Sequence, residues 1–337
     1  MAPASVVPSG GTLLLEREVH VAALEALADA ARGDDGRFVV IEGTVGIGKT
    51  RLLAEARAIA GSMGMRVLAA RGGEFEGEFA YGIVRQLFEP LLASANPDLR
   101  AKLLSGPAAL VEPLLGASQP APSQEAPPAE GFFAILHGLY WLAANVAFHQ
   151  PTLLAVDDLH WADTPSLRWL LYLTRRLEGV PMLVAAAARA PEAESRDPML
   201  AAQLIAEPEV IAIRPEPLGR ESIAVLAQKL HGLQPDETFC AALETATGGN
   251  PLFIGAVLDA VAWEGTSPTV EHVPRLLQVG AQGVSRVVGL RLARLPPQAL
   301  ALLRAASILG DGTELRHAAA LAGVEARELG PSASTLV

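Results

Sequence analysis

Eight consecutive residues, Gly43-Thr44-Val45-Gly46-Ile47-Gly48-Lys49-Thr50, carry the clearest chemical signal in the chain. Their pattern is that of a glycine-rich loop that cradles phosphates. Glycines let backbone N–H groups turn inward around phosphate oxygens, and a helix starting near Lys49 offers its positive dipole end to the same anion. Lys49 is placed to reach the β- and γ-phosphates and Thr50 to ligate Mg²⁺, so the expected ligand is ATP or ADP with Mg²⁺. A second signal is Leu153-Leu154-Ala155-Val156-Asp157-Asp158, an apolar strand delivering acids at its carboxyl end, as a Walker B element does. Asp157 would hold the Mg²⁺, directly or through water. Asp158 either orients the attacking water or merely starts the next turn. It is one methylene shorter than glutamate, so slow hydrolysis is expected. Arg189 ends a further apolar run; at that place it either senses the γ-phosphate or is a solvated arginine at a strand end. His160 beside the carboxylates invites a metal or acid–base reading. The other six histidines show no ligand spacing, which favours packing or a supporting polar role.

These residues need a scaffold, and the flanking sequence supplies one. Phe38 to Glu42 reads as a buried strand before the glycine loop, and Lys49 to Ser62 as a helix stopped by Gly64. Arg66–Ala70, Thr152–Val156, Pro181–Ala188 and Glu209–Ile213 read as four more strands. Helices are expected over Leu13–Arg32, Tyr81–Leu92 and Phe132–Phe148, and from Thr164, as N-cap ahead of Pro165, to about Glu178. Between them, Ser105–Glu130 is a Pro/Ala-rich surface loop. Alternating strands and helices imply a parallel sheet covered on both faces. After Pro217 the pattern is helical, broken at Gly232-Leu233-Gln234-Pro235 and at Gly248-Gly249-Asn250-Pro251. Taken locally, the second break is a plain turn followed by a Pro-started helix.

Composition narrows the function classes. The chain of 337 residues has room for two or three domains, and half its residues are hydrophobic. With 26 basic against 37 acidic residues, the net charge of −11 argues against DNA as its main partner. The single cysteine, Cys240, excludes an internal disulfide and reads as a small buried hydrophobe. The N-terminus lacks the features of a signal peptide, and no run approaches the ~20 apolar residues that span a bilayer. A soluble, cytoplasmic protein is expected.

Several motifs together resemble the STAND branch of the AAA+ ATPases. They are Leu14-Leu15-Glu16-Arg17-Glu18, the loop Gly43 to Thr50, the run Ala80 to Leu91, Val156-Asp157-Asp158-Leu159-His160-Trp161-Ala162-Asp163, and Gly248-Gly249-Asn250-Pro251-Leu252-Phe253. More narrowly, the chain is similar, over about residues 12–330, to the N-terminal part of large ATP-binding LuxR-type transcriptional regulators of actinobacteria. The resemblance implies an α/β fold: an αβα P-loop NTPase core with a parallel five-stranded sheet in the order 5-1-4-3-2, a helical lid and a winged-helix domain. In this sequence that gives a tail and linker helix over 1–35, the core over 36–217, the lid over 218–268 and a partial winged-helix-like domain over 269–337. It also implies that Pro251 touches the adenine from the lid side, that Arg17 lies near the base, and that Arg189 senses phosphate. The family's Gly-Arg pair stands here as Glu16-Arg17. ADP would hold a closed resting state, and ATP with an inducer an open, self-associating one. The family's C-terminal DNA-binding domain is not in this sequence, so DNA binding is expected only where that domain is supplied. Two other readings stay open. One is a metabolic, kinase-like P-loop enzyme. The other is a DNA-binding module using Arg286, Arg291, Arg294 and Arg304, which at helical spacing equally solvate a helix face.

Overall fold

Parallel strands covered on both faces have no solvent side, so their sequences run apolar instead of alternating. Five such runs form the sheet: β1 (Arg37–Glu42), β2 (Arg66–Arg71), β3 (Thr152–Asp157), β4 (Met182–Ala188) and β5 (Val210–Ile213). A computed structural model describes residues 14–73, 80–115, 129–189, 197–264, 297–309 and 315–324. Every neighbouring pair of strands is parallel, and the spatial order is β2-β3-β4-β1-β5, the expected order read from the other edge. The register aligns Glu42 with Ala188 and Arg71 with Asp157. The residues that follow β1, β3 and β4 therefore leave the sheet along one edge, where open parallel sheets bind ligands.

Side chains alternate between the two faces. Val39 and Ile41 pack with Leu52, Leu53 and Ala56 of α2 (Lys49–Ser62), and with Leu24 and Ala28 of α1 (Glu18–Arg32). Phe38 and Val40 point the other way, toward α3 (Gly82–Ser94), α6 (Ala129–His149) and α7 (Thr164–Thr174). Between α3 and α6 lie α4 (Pro97–Leu103), a 3-10 turn (Gly106–Val111) and the short α5 (Glu112–Leu115). The first part of the expected 105–130 loop is thus ordered into turns, and residues 116–128 lie outside the described residues. Within α6, Gly131–His149 is long and apolar enough by length and composition to cross a bilayer, contrary to the sequence reading. Part of its apolar length goes into the core, where Leu139, Leu142, Ala143 and Val146 are fully buried.

Asp163 explains two departures from the sequence reading. Its buried carboxylate accepts from Ser166 N at 2.9 Å, so Asp163, and not Thr164, caps α7. It also accepts from Tyr81 N at 2.8 Å. Tyr81 takes a left-handed conformation, and α3 begins one residue later than its sequence suggests. α7 stops at Thr174, well before Gly179. A helix the sequence reading passed over, α8 (Pro198–Ile205), is capped by Asp197, which accepts from Leu200 N at 3.1 Å. Because Asp163 anchors two helix starts from a site only 4% exposed, Asp163→Ala should cost about 2–4 kcal/mol. Urea unfolding checks this, and an unchanged midpoint would show that the two starts hold without it.

Described residues up to Glu216 form one compact unit and those from Pro217 onward a second. The second holds α9 (Arg220–His231), α10 (Glu237–Thr247), where Cys240 is buried, and α11 (Pro251–Glu264). Gly248 and Gly249 both have positive φ. A Cβ on Gly249 would come within 2.6 Å of Leu218 O, so close approach as well as conformation requires glycine there. Asn250 then caps α11, its Oδ1 accepting from Leu252 N at 3.0 Å. Of the 269–337 region, helices Pro297–Leu309 and Leu315–Ala322 are described, packed through Leu302, Ala305, Ala318 and Ala319. Arg286, Arg291 and Arg294 lie outside the described residues.

Candidate functional site

The glycine loop leaves β1 and turns directly into α2. Gly46 and Gly48 have φ of 82° and 105°, a region that side chains resist, and Gly48 is the residue before the helix. The first turn of α2 therefore points its unpaired N–H groups into the loop. Lys49 is nearly buried and its Nζ donates to Gly43 O at 2.7 Å and Thr44 O at 2.8 Å. The ammonium thus sits within the loop's own ring of backbone groups, where an anion would meet it. At the mouth, Thr50 Oγ1 donates to Asp157 Oδ1 at 3.2 Å, although the two lie 107 residues apart. A hydroxyl and a carboxylate at that separation are hard oxygen ligands that could share one Mg²⁺.

Asp158 has a positive φ of 50°, which aspartate tolerates better than most residues. Its Oδ2 accepts from both Nε (2.9 Å) and Nη2 (2.8 Å) of Arg71 at the end of β2. This charge-assisted pairing raises the Arg71 pKa. Gln86 of α3 fixes the arginine's backbone: its Oε1 accepts from Arg71 N at 2.9 Å and its Nε2 donates to Arg71 O at 3.1 Å. On this edge strand the side-chain amide does the work of a missing neighbour. Sequence reasoning missed Arg71 and Gln86. Strand order 3-2 with the 71-to-157 register would have been the only signal for Arg71, and Gln86 stands in the motif run Ala80 to Leu91 with nothing to mark its role.

His160 is 4% exposed, and neither ring nitrogen has a hydrogen-bond partner. Burial, then the positive charges of Arg189 and Lys49 against the opposing Asp158, push its pKa down to about 4. It is therefore neutral, and among the described residues no group of His, Cys, Asp and Glu is arranged to hold a metal. The unfolded chain binds a proton near the usual pH 6.5 where the folded one does not. The contribution of His160 to stability is thus complete above pH 6.5 and is lost as pH falls toward 4, with a slope of up to about 1.4 kcal/mol per unit. Urea midpoints at several pH values should show this slope flattening in His160→Gln. An equal slope in both proteins would clear His160 of the effect.

Arg189 follows the last residue of β4, half-buried, and has no carboxylate partner among the described residues. Arg17 is 4% exposed and donates to three carbonyls: Glu16 O (2.9 Å), Ile47 O (3.3 Å) and Glu216 O (2.6 Å). It braces the glycine loop against the end of the first unit, and burial lowers its pKa against the pull of Glu16, Glu18 and Glu216. Lys49, Thr50, Asp157, Asp158 and Arg189 thus gather at one sheet edge, with Arg17 behind the loop. Pro251 belongs to the second unit, where it opens α11.

Residues 13–185, just over half of the chain, match the AAA ATPase domain family. The chain belongs to that family. The chain is also similar to a curated relative and to solved structures. The uncharacterized protein R02095 of Rhizobium meliloti (strain 1021) is 28% identical over 279 residues, which are 75% of this chain and 25% of that protein. The chain therefore spans about a quarter of that relative's length. The ORC2 protein of Aeropyrum pernix, in ADPNP–ADP complexes, superposes with a TM-score of 0.50 at 15% identity, covering 96% of this chain and 81% of that one. A signal-transduction ATPase with numerous domains (STAND) from Pyrococcus horikoshii, bearing a tetratricopeptide repeat sensor, is similar with a TM-score of 0.43 at 17% identity, over 99% of this chain and 41% of that one.

Proposed function

We infer that this chain is a nucleotide-controlled switch module that binds ATP or ADP with Mg²⁺ and hydrolyses ATP slowly. The supporting observation is the placement of Lys49 Nζ inside the glycine loop with the Thr50–Asp157 pair at its mouth. In this reading Gly43, Thr44, Val45, Gly46, Ile47 and Gly48 wrap the phosphates with backbone N–H groups. Lys49 leaves its two carbonyls for the β- and γ-phosphates, and Thr50 and Asp157 hold the metal. Asp158 orients water once Arg71 releases it, Arg189 reads the γ-phosphate, and Arg17 and Pro251 serve the base. The Aeropyrum pernix protein of like fold is complexed with ADPNP and ADP. The motif run Val156 to Asp163 and the Gly-Gly-Asn-Pro turn support the finer assignment, the ATPase part of a LuxR-type regulator that self-associates in its ATP state and answers an inducer. DNA binding would belong to a further domain.

Size-exclusion with Mg-ATP and with Mg-ADP tests the switch. Self-association under ATP and not ADP is expected, and identical profiles with both nucleotides bound would remove the switch while leaving the binding site. A kinase-like reading draws on a cavity of about 370 Å³ beside Thr50 and Asp157, lined also by Arg57 and Arg71, where a second substrate would fit. Phosphate release from ATP without any acceptor distinguishes the two.

A further inference from the structure

Helices α6 and α7 leave an aromatic groove of about 500 Å³ on the first unit. Phe132, Phe133 and Leu136 of α6 and Leu171 of α7 supply its apolar lining, and Phe133 is 57% exposed. Three arginines stand around it. Arg175 is neutralised by Glu207, to which it donates through Nε at 2.9 Å and Nη2 at 2.5 Å. Arg168 and Arg176 have no carboxylate partner among the described residues. They are held instead over rings, with Cζ 5.4 Å from the Phe132 centroid and 3.7 Å from that of Tyr172. Arg176 is further fixed by donating to Tyr172 O at 2.9 Å. These guanidiniums are positioned and only partly used.

The polar group on the groove's wall has a defined sense. Trp141 Nε1 donates to His137 Nε2 at 3.1 Å. An indole N–H only donates, so that nitrogen is bare and His137 carries its proton on Nδ1. His137 Nδ1 lies 3.3 Å from the Tyr172 hydroxyl, which accepts from it. The phenol's own hydrogen remains to be donated. The groove thus offers an apolar lining and donors only: one phenol and two guanidiniums. It is cationic on a chain whose net charge is −11. Its match is an apolar body flanked by negative charge. Small-molecule sites enclose most of their ligand, whereas this groove is open along its length and built from the aromatic and arginine side chains that anchor protein interfaces.

We propose that this groove docks an acidic segment of a partner protein, one Phe or Leu seated against Phe133 and Leu171 and neighbouring carboxylates paired with Arg168 and Arg176. The test is fluorescence anisotropy of the full chain with tagged peptides of about twelve residues made of Glu, Asp, Phe and Leu. Matched peptides with Lys and Arg for the acids, a single-stranded oligonucleotide and 2-naphthoate are run beside them. The acidic peptides bind, weaken with salt, and lose roughly tenfold in affinity in Phe133→Ala and in the pair Arg168→Glu, Arg176→Glu. ATP binding by the variants reports that they are folded. No acidic-peptide binding, equal binding of the basic peptides, or binding indifferent to the arginine reversals overturns the proposal. Preference for the oligonucleotide, or for naphthoate without peptide, overturns it in favour of a nucleic-acid face or a small-anion site.

Discussion

Lys49→Ala is expected to lose ATP by two to three orders of magnitude in Kd, about 3–4 kcal/mol. The size follows from where the ammonium sits. It is nearly buried, and its bonds at 2.7 and 2.8 Å are to carbonyls of the loop itself. Removing it leaves a polyanion facing a ring of N–H dipoles with no full positive charge beside it. The fold should survive, because Gly43 is half-buried and Thr44 exposed, so that their carbonyls can turn to water. ADP affinity should fall less than ATP affinity, since the γ-phosphate depends most on the side chain. Calorimetry with Mg²⁺ and each nucleotide reads both numbers. Wild-type affinity in the variant would mean that the loop does not bind phosphate through this lysine.

The second large effect concerns turnover without binding. Asp158→Asn should keep nucleotide affinity and slow phosphate release on the order of 100-fold, the lower range for loss of a group that directs proton transfer. Asparagine is the informative replacement, because it tolerates the left-handed backbone that Asp158 adopts at φ 50°. The cost to stability should be small. The Arg71 side chain is 72% exposed, and ion pairs of that kind contribute about 0–1 kcal/mol. Arg71→Ala makes the complementary case: it frees the carboxylate and should raise turnover several-fold above wild type. Unchanged turnover in Asp158→Asn would reduce Asp158 to a turn residue. A loss in Arg71→Ala equal to that in Asp158→Asn would make the pair a working unit in place of a restraint.

Where an element's limits rest on its own residues, the sequence reading came close. α2 runs over Lys49–Ser62 as its apolar spacing predicts, and β3 over Thr152–Asp157, one residue beyond the expected end. Both are bounded by local signals: glycines before and after the helix, acids after the strand. The reading failed where a distant group set the boundary. Thr164 is a sound cap by type, but Asp163 takes the place because its carboxylate also serves Tyr81, 82 residues earlier. α6 shows a different limit. Apolar length alone does not separate a core helix from one that crosses a membrane, and the packing of its buried residues with α7 and the sheet is not written in that length.

The amino-acid sequence by itself determined the glycine loop, the lysine and hydroxyl that follow it, and the acids that close β3. Backbone freedom and strand ends are properties of a few neighbouring residues. The parallel sheet was equally determined, because the buried runs and the helices between them permit little else. Tertiary structure alone decided which charges meet. Arg71 reaches Asp158 across 87 residues, Arg17 reaches Glu216 across 199, and His160 is neutral because it is enclosed beside Arg189 and Lys49. The orientation of the Tyr172 hydroxyl follows from Trp141 and His137 on another helix. Each of these depends on strand order, register and burial, which are set by the packing of the whole domain and leave no mark in the spacing of any one segment.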